Sequence, residues 1–169
     1  NIGTAYTSKS LEMREDSVTV AEISSFQLET IMDFRPNVSA ILNITPDHLN
    51  RHGTMENYTR IKECITLNQT EDDSVVLNYD DPVLREFGQD PDLKPKVTWF
   101  SSREKLADGF CMSGDNIVYC QKGRETILVN VRDMKLLGRH NYENVMAAVG
   151  ISVCAGISLE KIREVLKSF

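Results

Sequence analysis

The 169 residues suffice for one domain with a real core, and 41% hydrophobic with 26% charged residues is the make-up of a soluble globular chain. A net charge of −6 argues against a nucleic-acid surface, and no apolar run approaches the ~18 residues of a membrane helix. The four cysteines, Cys64, Cys111, Cys120 and Cys154, form no CxxC pair. They read as small core residues in a reducing cytoplasm rather than as zinc ligands.

The chain opens at NIGTAY with no initiator Met and is expected to be an internal piece of a longer protein. Residues 17–22, SVTVAE, alternate and then run apolar, which predicts a strand. SSFQLETIMDF follows as a short helix stopped by Pro36, with Ser24 and Gln27 spaced as a capping box. VSAILNI, residues 38–44, reads as a strand buried on both faces, completing a βαβ unit. After the loop TPDHLNRHGT, Met55, Tyr58, Ile61 and Ile65 predict a helix over 55–68. SVVLNYDDP is a strand and turn. Residues 96–131 switch to short strands with SGDN and QKGRE turns, predicting an antiparallel ribbon beside the main sheet. HNYENVMAAVGISVCA is a helix closed at Gly156, and Ser158 caps a last helix, LEKIREVLKSF. The class is α/β: a mainly parallel sheet flanked by helices, with a small antiparallel excursion.

Ligands of open α/β sheets bind beyond the carboxyl ends of the strands. Glu22, ending the first predicted strand, and His48, in the loop after the second, are therefore expected to face one crevice. Each also has a plainer reading: Glu22 as a helix-terminal charge, His48 as a loop histidine. The His48/His52 spacing invites zinc, but no HExxH order is present, and Pro46 and Gly53 argue against a helix through both. Lys62 sits at the edge of an apolar helix face, where a snorkelling lysine is ordinary. A neutral lysine amine can also react with carbon dioxide, giving a carbamate that offers oxygen to a hard metal. In GRHNYENVMAA, Asn141 and Asn144 are one turn apart, as a helix cap or as amides for a nucleobase edge. Ala147, Ala148 and Gly150 permit close packing.

NIG (1–3), EISSFQLE (22–29), NITPDHLNRH (43–52), YTRIK (58–62) and GRHNYENVMAA (138–148) resemble the Mur ligase family in order and spacing across the whole chain. The resemblance implies the ATP-binding central domain of an ATP-dependent amide ligase acting in cytoplasmic peptidoglycan precursor synthesis. Such enzymes phosphorylate a substrate carboxylate and let an amine attack the acyl phosphate. SSFQLE favours the branch that joins D-glutamate to UDP-N-acetylmuramoyl-L-alanine; DHLNRHGTMENY also resembles the sister branch that adds the third peptide residue. A folylpolyglutamate synthetase would share the superfamily but not SSFQLE. A non-catalytic domain that kept the fold would need none of Glu22, His48, Lys62 or Asn144. By resemblance, Glu22 and His48 hold magnesium, with Lys62, carbamylated, organising a second ion. Asn1, Ser24 and Gln27 lie near the phosphates and the acyl end of the nucleotide-sugar. Asn141 and Asn144 lie near ATP, with Asn144 at the adenine. Histidine is an unusual magnesium ligand, so His48 rests on the resemblance alone.

Three departures stand out. Asn50 replaces the family's usual Asp. No GxxxxGK[ST] phosphate loop is present, and the family's amino-acid-binding domain is expected beyond LKSF. The chain is thus expected to be an incomplete central domain, inactive alone and a weak binder of ATP. No nucleic-acid or membrane partner is expected.

Overall fold

A computed structural model describes residues 3–136 and 138–168. It begins with the single helical turn α1 (Tyr6–Lys9) and an extended stretch leading to α2 (Ser25–Leu28). Residues 17–22 are not a strand. Val18 and Val20 are 84% and 89% exposed, and the segment pairs with none of the six strands. Alternation alone cannot make a strand when no neighbouring edge supplies hydrogen bonds. The expected βαβ unit over 17–44 is therefore not formed, and Glu22 ends no strand.

The sheet starts at β1 (Val38–Ile41). The chain then passes through α3 (Leu49–His52) and α4 (Met55–Glu63) to β2 (Ser74–Asn78), and through α5 (Pro82–Gly88) to β3 (Lys96–Ser101). β4 (Gly109–Ser113), β5 (Asn116–Gln121) and β6 (Arg124–Asn130) complete the order β1-β2-β3-β4-β5-β6. α6 (Arg139–Cys154) and α7 (Leu159–Leu166) close the described chain. β1 to β4 are parallel neighbours, and β4, β5 and β6 are antiparallel. The α/β class with an antiparallel excursion holds, with one correction. β3 belongs to the parallel part, and the antiparallel strands extend the main sheet rather than pack beside it. A β3 flanked by β2 competes for pairing with distant residues, which local turn signals do not report.

Alternate residues of β2 feed opposite faces. Val75 and Leu77 pack with Tyr58 and Leu84 beneath α4 and α5. Val76 packs with Phe100, Phe110 and Met146 beneath α6. All three strand residues are fully buried, as a parallel strand covered on both faces requires. A Cβ on Gly150 would lie 3.0 Å from Val76 Cγ1, so the small residues of α6 do let it approach the sheet. Among the described residues no helix is long and apolar enough to cross a membrane. The four cysteines are free. Cys111 and Cys120 lie in the interior, where burial first, and Cys111 beside it, push the Cys120 thiol up to about 12.

Candidate functional site

Because β1, β2 and β3 are parallel, their carboxyl ends share one edge. His48 follows β1 there, Asp80 and Asp81 follow β2, and Ser101 and Ser102 follow β3. Side chains pull these loops together. Asp80 Oδ2 accepts from Ser102 N at 2.7 Å, and Asp80 Oδ1 from the Ser101 hydroxyl at 2.5 Å. The Ser102 hydroxyl donates to Glu143 Oε1 at 2.6 Å, which brings the first turns of α6 to the same edge from the opposite face.

Asp81 does two jobs. Its Oδ1 accepts from Val83 N and Leu84 N, capping α5, which starts with Pro82. Its Oδ2 accepts from Ile44 N at 2.7 Å, fixing the chain as it leaves β1 toward His48. Sequence reasoning misses α5, because its Asp-Pro start signal reads equally as a turn. Asp81→Ala removes the cap and orphans the nearly buried Ile44 amide. A loss of about 2–4 kcal/mol is expected, visible as a lower urea midpoint at unchanged slope.

Ser24 and Gln27 form the expected capping box. Gln27 Oε1 accepts from Ser24 N at 2.9 Å, and Ser24 Oγ accepts from Gln27 N. The helix they start is a single turn rather than the run to Phe34 expected from the sequence. His48 is the N-cap of α3 at φ 50°, ψ 28°, a left-handed conformation uncommon for a residue with a side chain. As expected, no helix runs through both histidines: the single turn Leu49–His52 begins only after His48 and ends at Gly53. Both histidines contact the Phe26 ring, at 4.8 Å and 5.6 Å, and His52 is buried while His48 is half exposed.

α4 carries Lys62 as expected, with Tyr58 and Ile61 buried and Lys62 half-buried. The Lys62 Nζ lies 5.6 Å from the Tyr58 ring centre, and Tyr58 lies 5.3 Å from the His52 ring. His48, Phe26, His52, Tyr58 and Lys62 thus form a continuous chain of contacts joining α2, α3 and α4. Glu22 lies in the exposed extended stretch two residues ahead of Ser24. Asn1 lies outside the described residues. On the other face, Asn141 and Asn144 line one groove of about 570 Å³ with Leu136, Val145, Ala148 and Ile157. Its walls are mostly apolar, with the two amides, Ser152 and Lys161 as the polar groups. A larger groove of about 880 Å³ between α4 and α5 contains none of the candidate residues.

Among the described residues no three His, Cys, Asp or Glu side chains gather as a metal cage. Of the donors expected from the sequence, the Glu22 carboxylate is of the kind magnesium favours, since that ion keeps several waters and is commonly held by one or two carboxylates together with substrate phosphates, whereas the His48 imidazole is not.

Residues 1–152 match the Mur ligase middle domain. The chain is 53% identical over its whole length to the UDP-N-acetylmuramoylalanine–D-glutamate ligase of Lachnospira eligens and 49% identical to that of Lachnoclostridium phytofermentans, spanning 37% of each relative. Its fold is similar to the UDP-N-acetylmuramate:L-alanyl-gamma-D-glutamyl-meso-diaminopimelate ligase of Neisseria meningitides (TM-score 0.62, 18% identity, 80% of this chain and 40% of that one). It is also similar to MurF of Thermotoga maritima in complex with ADP (TM-score 0.53, 19% identity, 80% and 31%). The solved structures speak for the fold, and the match over residues 1–152 with the whole-length identity goes further: the chain belongs to the Mur ligase family.

Proposed function

We propose that this chain is the ATP-handling middle part of a ligase that joins D-glutamate to UDP-N-acetylmuramoyl-L-alanine in the cytoplasm, for peptidoglycan precursor synthesis. The observation that carries the reading is identity of 53% along the whole chain to a ligase of that name. The substrate carboxylate attacks the γ-phosphate of ATP, expelling ADP and forming an acyl phosphate, and the D-glutamate amine displaces inorganic phosphate and loses a proton to leave an amide. Asn141 and Asn144 bind the nucleotide in their groove, with Asn144 at the adenine edge. Ser24 and Gln27, held by their capping box, and Asn1 face the phosphates and the acyl end of the nucleotide-sugar. Glu22, His48 and Lys62, carbamylated, would hold magnesium, which when bound would offset the repulsion between attacking carboxylate and phosphate.

The 169 residues contain no GxxxxGK[ST] loop, whose amides and lysine dominate phosphate affinity in nucleotide sites. These residues alone are therefore proposed to bind ATP weakly and not to ligate. The test supplies the full-length protein with ATP, magnesium, UDP-N-acetylmuramoyl-L-alanine and D-glutamate. Phosphate release matched by amide product is expected. Product only with the dipeptide-bearing nucleotide-sugar and a third amino acid would assign the sister activity instead. No product with either substrate set would overturn the ligase reading.

A further inference from the structure

His52 has no part in the ligand sites proposed above, yet it is the most confined titratable ring beside them. Its side chain is fully buried. Its Nε2 lies 3.0 Å from the buried Ser25 hydroxyl, and its Nδ1 lies 3.2 Å from Glu29 Oε1. That second approach is within range but off the line of the N–H, so Nδ1 has no well-aligned partner. A buried ring nitrogen in that condition calls for an explanation. We infer that Glu29, the buried His52 and the buried Ser25 form a positioning relay that fixes the α2 turn against the His48 loop.

The two elements it joins cannot hold themselves. α2 and α3 are single turns of four residues each, too short for helical hydrogen bonds to define their orientation. The contacts between them are side chains. Arg51 grips Glu29 through Nη2–Oε2 at 2.6 Å and Nε–Oε1 at 3.2 Å, and its guanidinium covers the Phe26 ring at 5.1 Å. His52 closes the same contact from inside. His48 O accepts from Arg51 N and His52 N, so anchoring His52 anchors the turn that begins at His48. A left-handed backbone at His48 persists only where its surroundings over-determine it, and the relay supplies that constraint.

The chemistry sets the proton's place. Arg51, by its hydrogen bonds, holds the Glu29 carboxyl below its ordinary range, so Glu29 only accepts. A proton on Nδ1 faces Glu29, and Nε2 then accepts from the Ser25 hydroxyl.

This inference rests on the ligase reading for its effect on turnover, and its test separates the two. In the full chain labelled with 15N at histidine, long-range correlation spectra are expected to show His52 as the Nδ1–H tautomer, and Glu29→Ala to move it to Nε2–H. Ser25→Ala is expected to shift the His48 ring signals, because the Phe26 ring against His48 moves with α2. In the full-length protein Ser25→Ala is expected to lower kcat roughly 10- to 100-fold, with KM for ATP unchanged. Ser25→Cys, similar in size but a weaker donor, should fall between alanine and wild type, an order that packing alone does not produce. An Nε2–H tautomer in the wild type, His48 signals unmoved by Ser25→Ala, or wild-type kcat in that variant overturns the relay. If the wild-type protein does not ligate, the ligase reading fails while the tautomer and the His48 signals still decide the relay.

Discussion

Lys62→Ala in the full-length protein is expected to lower kcat by roughly 10²- to 10³-fold, the usual cost of removing one preorganised electrostatic group, with partial recovery on adding acetate or formate. Lys62 extends from a helix whose neighbouring Tyr58 and Ile61 are buried, so its stem is held while its end stays reachable. As an ammonium its Nζ sits over the Tyr58 ring, within cation–π range. As the proposed carbamate it would exchange that contact for a negative oxygen able to bind a hard cation. Alanine removes both forms and leaves a space that a small carboxylate can occupy. Turnover measured with and without the added carboxylate checks the prediction. Near wild-type turnover in the alanine variant would take Lys62 out of the mechanism.

Gly109→Ala is expected to destabilise the domain by roughly 3 kcal/mol or more. Gly109 has φ 122°, outside the range that a residue with a side chain adopts without strain. A Cβ there would lie 2.4 Å from the Trp99 carbonyl oxygen. That oxygen belongs to β3 beside the point where β4 begins, and neither backbone can yield without opening the pair. The position is demanding because β4 pairs in parallel after only the short loop 102–108. Phe110 is level with Phe100, and Cys111 with Ser101. β4 thus starts where β3 ends, and no long crossover is needed. A lower denaturation midpoint at unchanged slope is the expected readout, and a midpoint equal to wild type would show that the strands accommodate the methyl group.

Much of the site is legible in the sequence because its signals are local. The Ser24/Gln27 capping box, the α4 face of Tyr58, Ile61 and Lys62, the small residues of α6 and the Ser158 cap each depend on residues within a turn or two, where spacing dictates contact. The family resemblance rests on the same short motifs. Asn141 and Asn144 fall on one groove for the same reason: one helical turn separates them.

What the sequence leaves undecided depends on partners far along the chain. Residues 17–22 carry strand-like alternation, yet no described strand lies beside them, and a strand exists only as part of a ladder. By its turns β3 resembles one of several short antiparallel strands. Pairing of Val97 with Val75 and of Trp99 with Leu77 makes it parallel. Asp81 has the look of a turn residue, but Ile44, from the preceding strand's exit, comes within 2.7 Å of it. His52 has the spacing of half a metal motif, but Ser25 and Glu29, one in α2 and one just after it, enclose its ring. Composition, period and caps therefore determined the class of the fold, most of its helices and the residues able to do chemistry. Tertiary structure decided which strands pair and which buried polar groups meet, because hydrogen bonds and burial across long sequence separations are settled only when the whole chain packs.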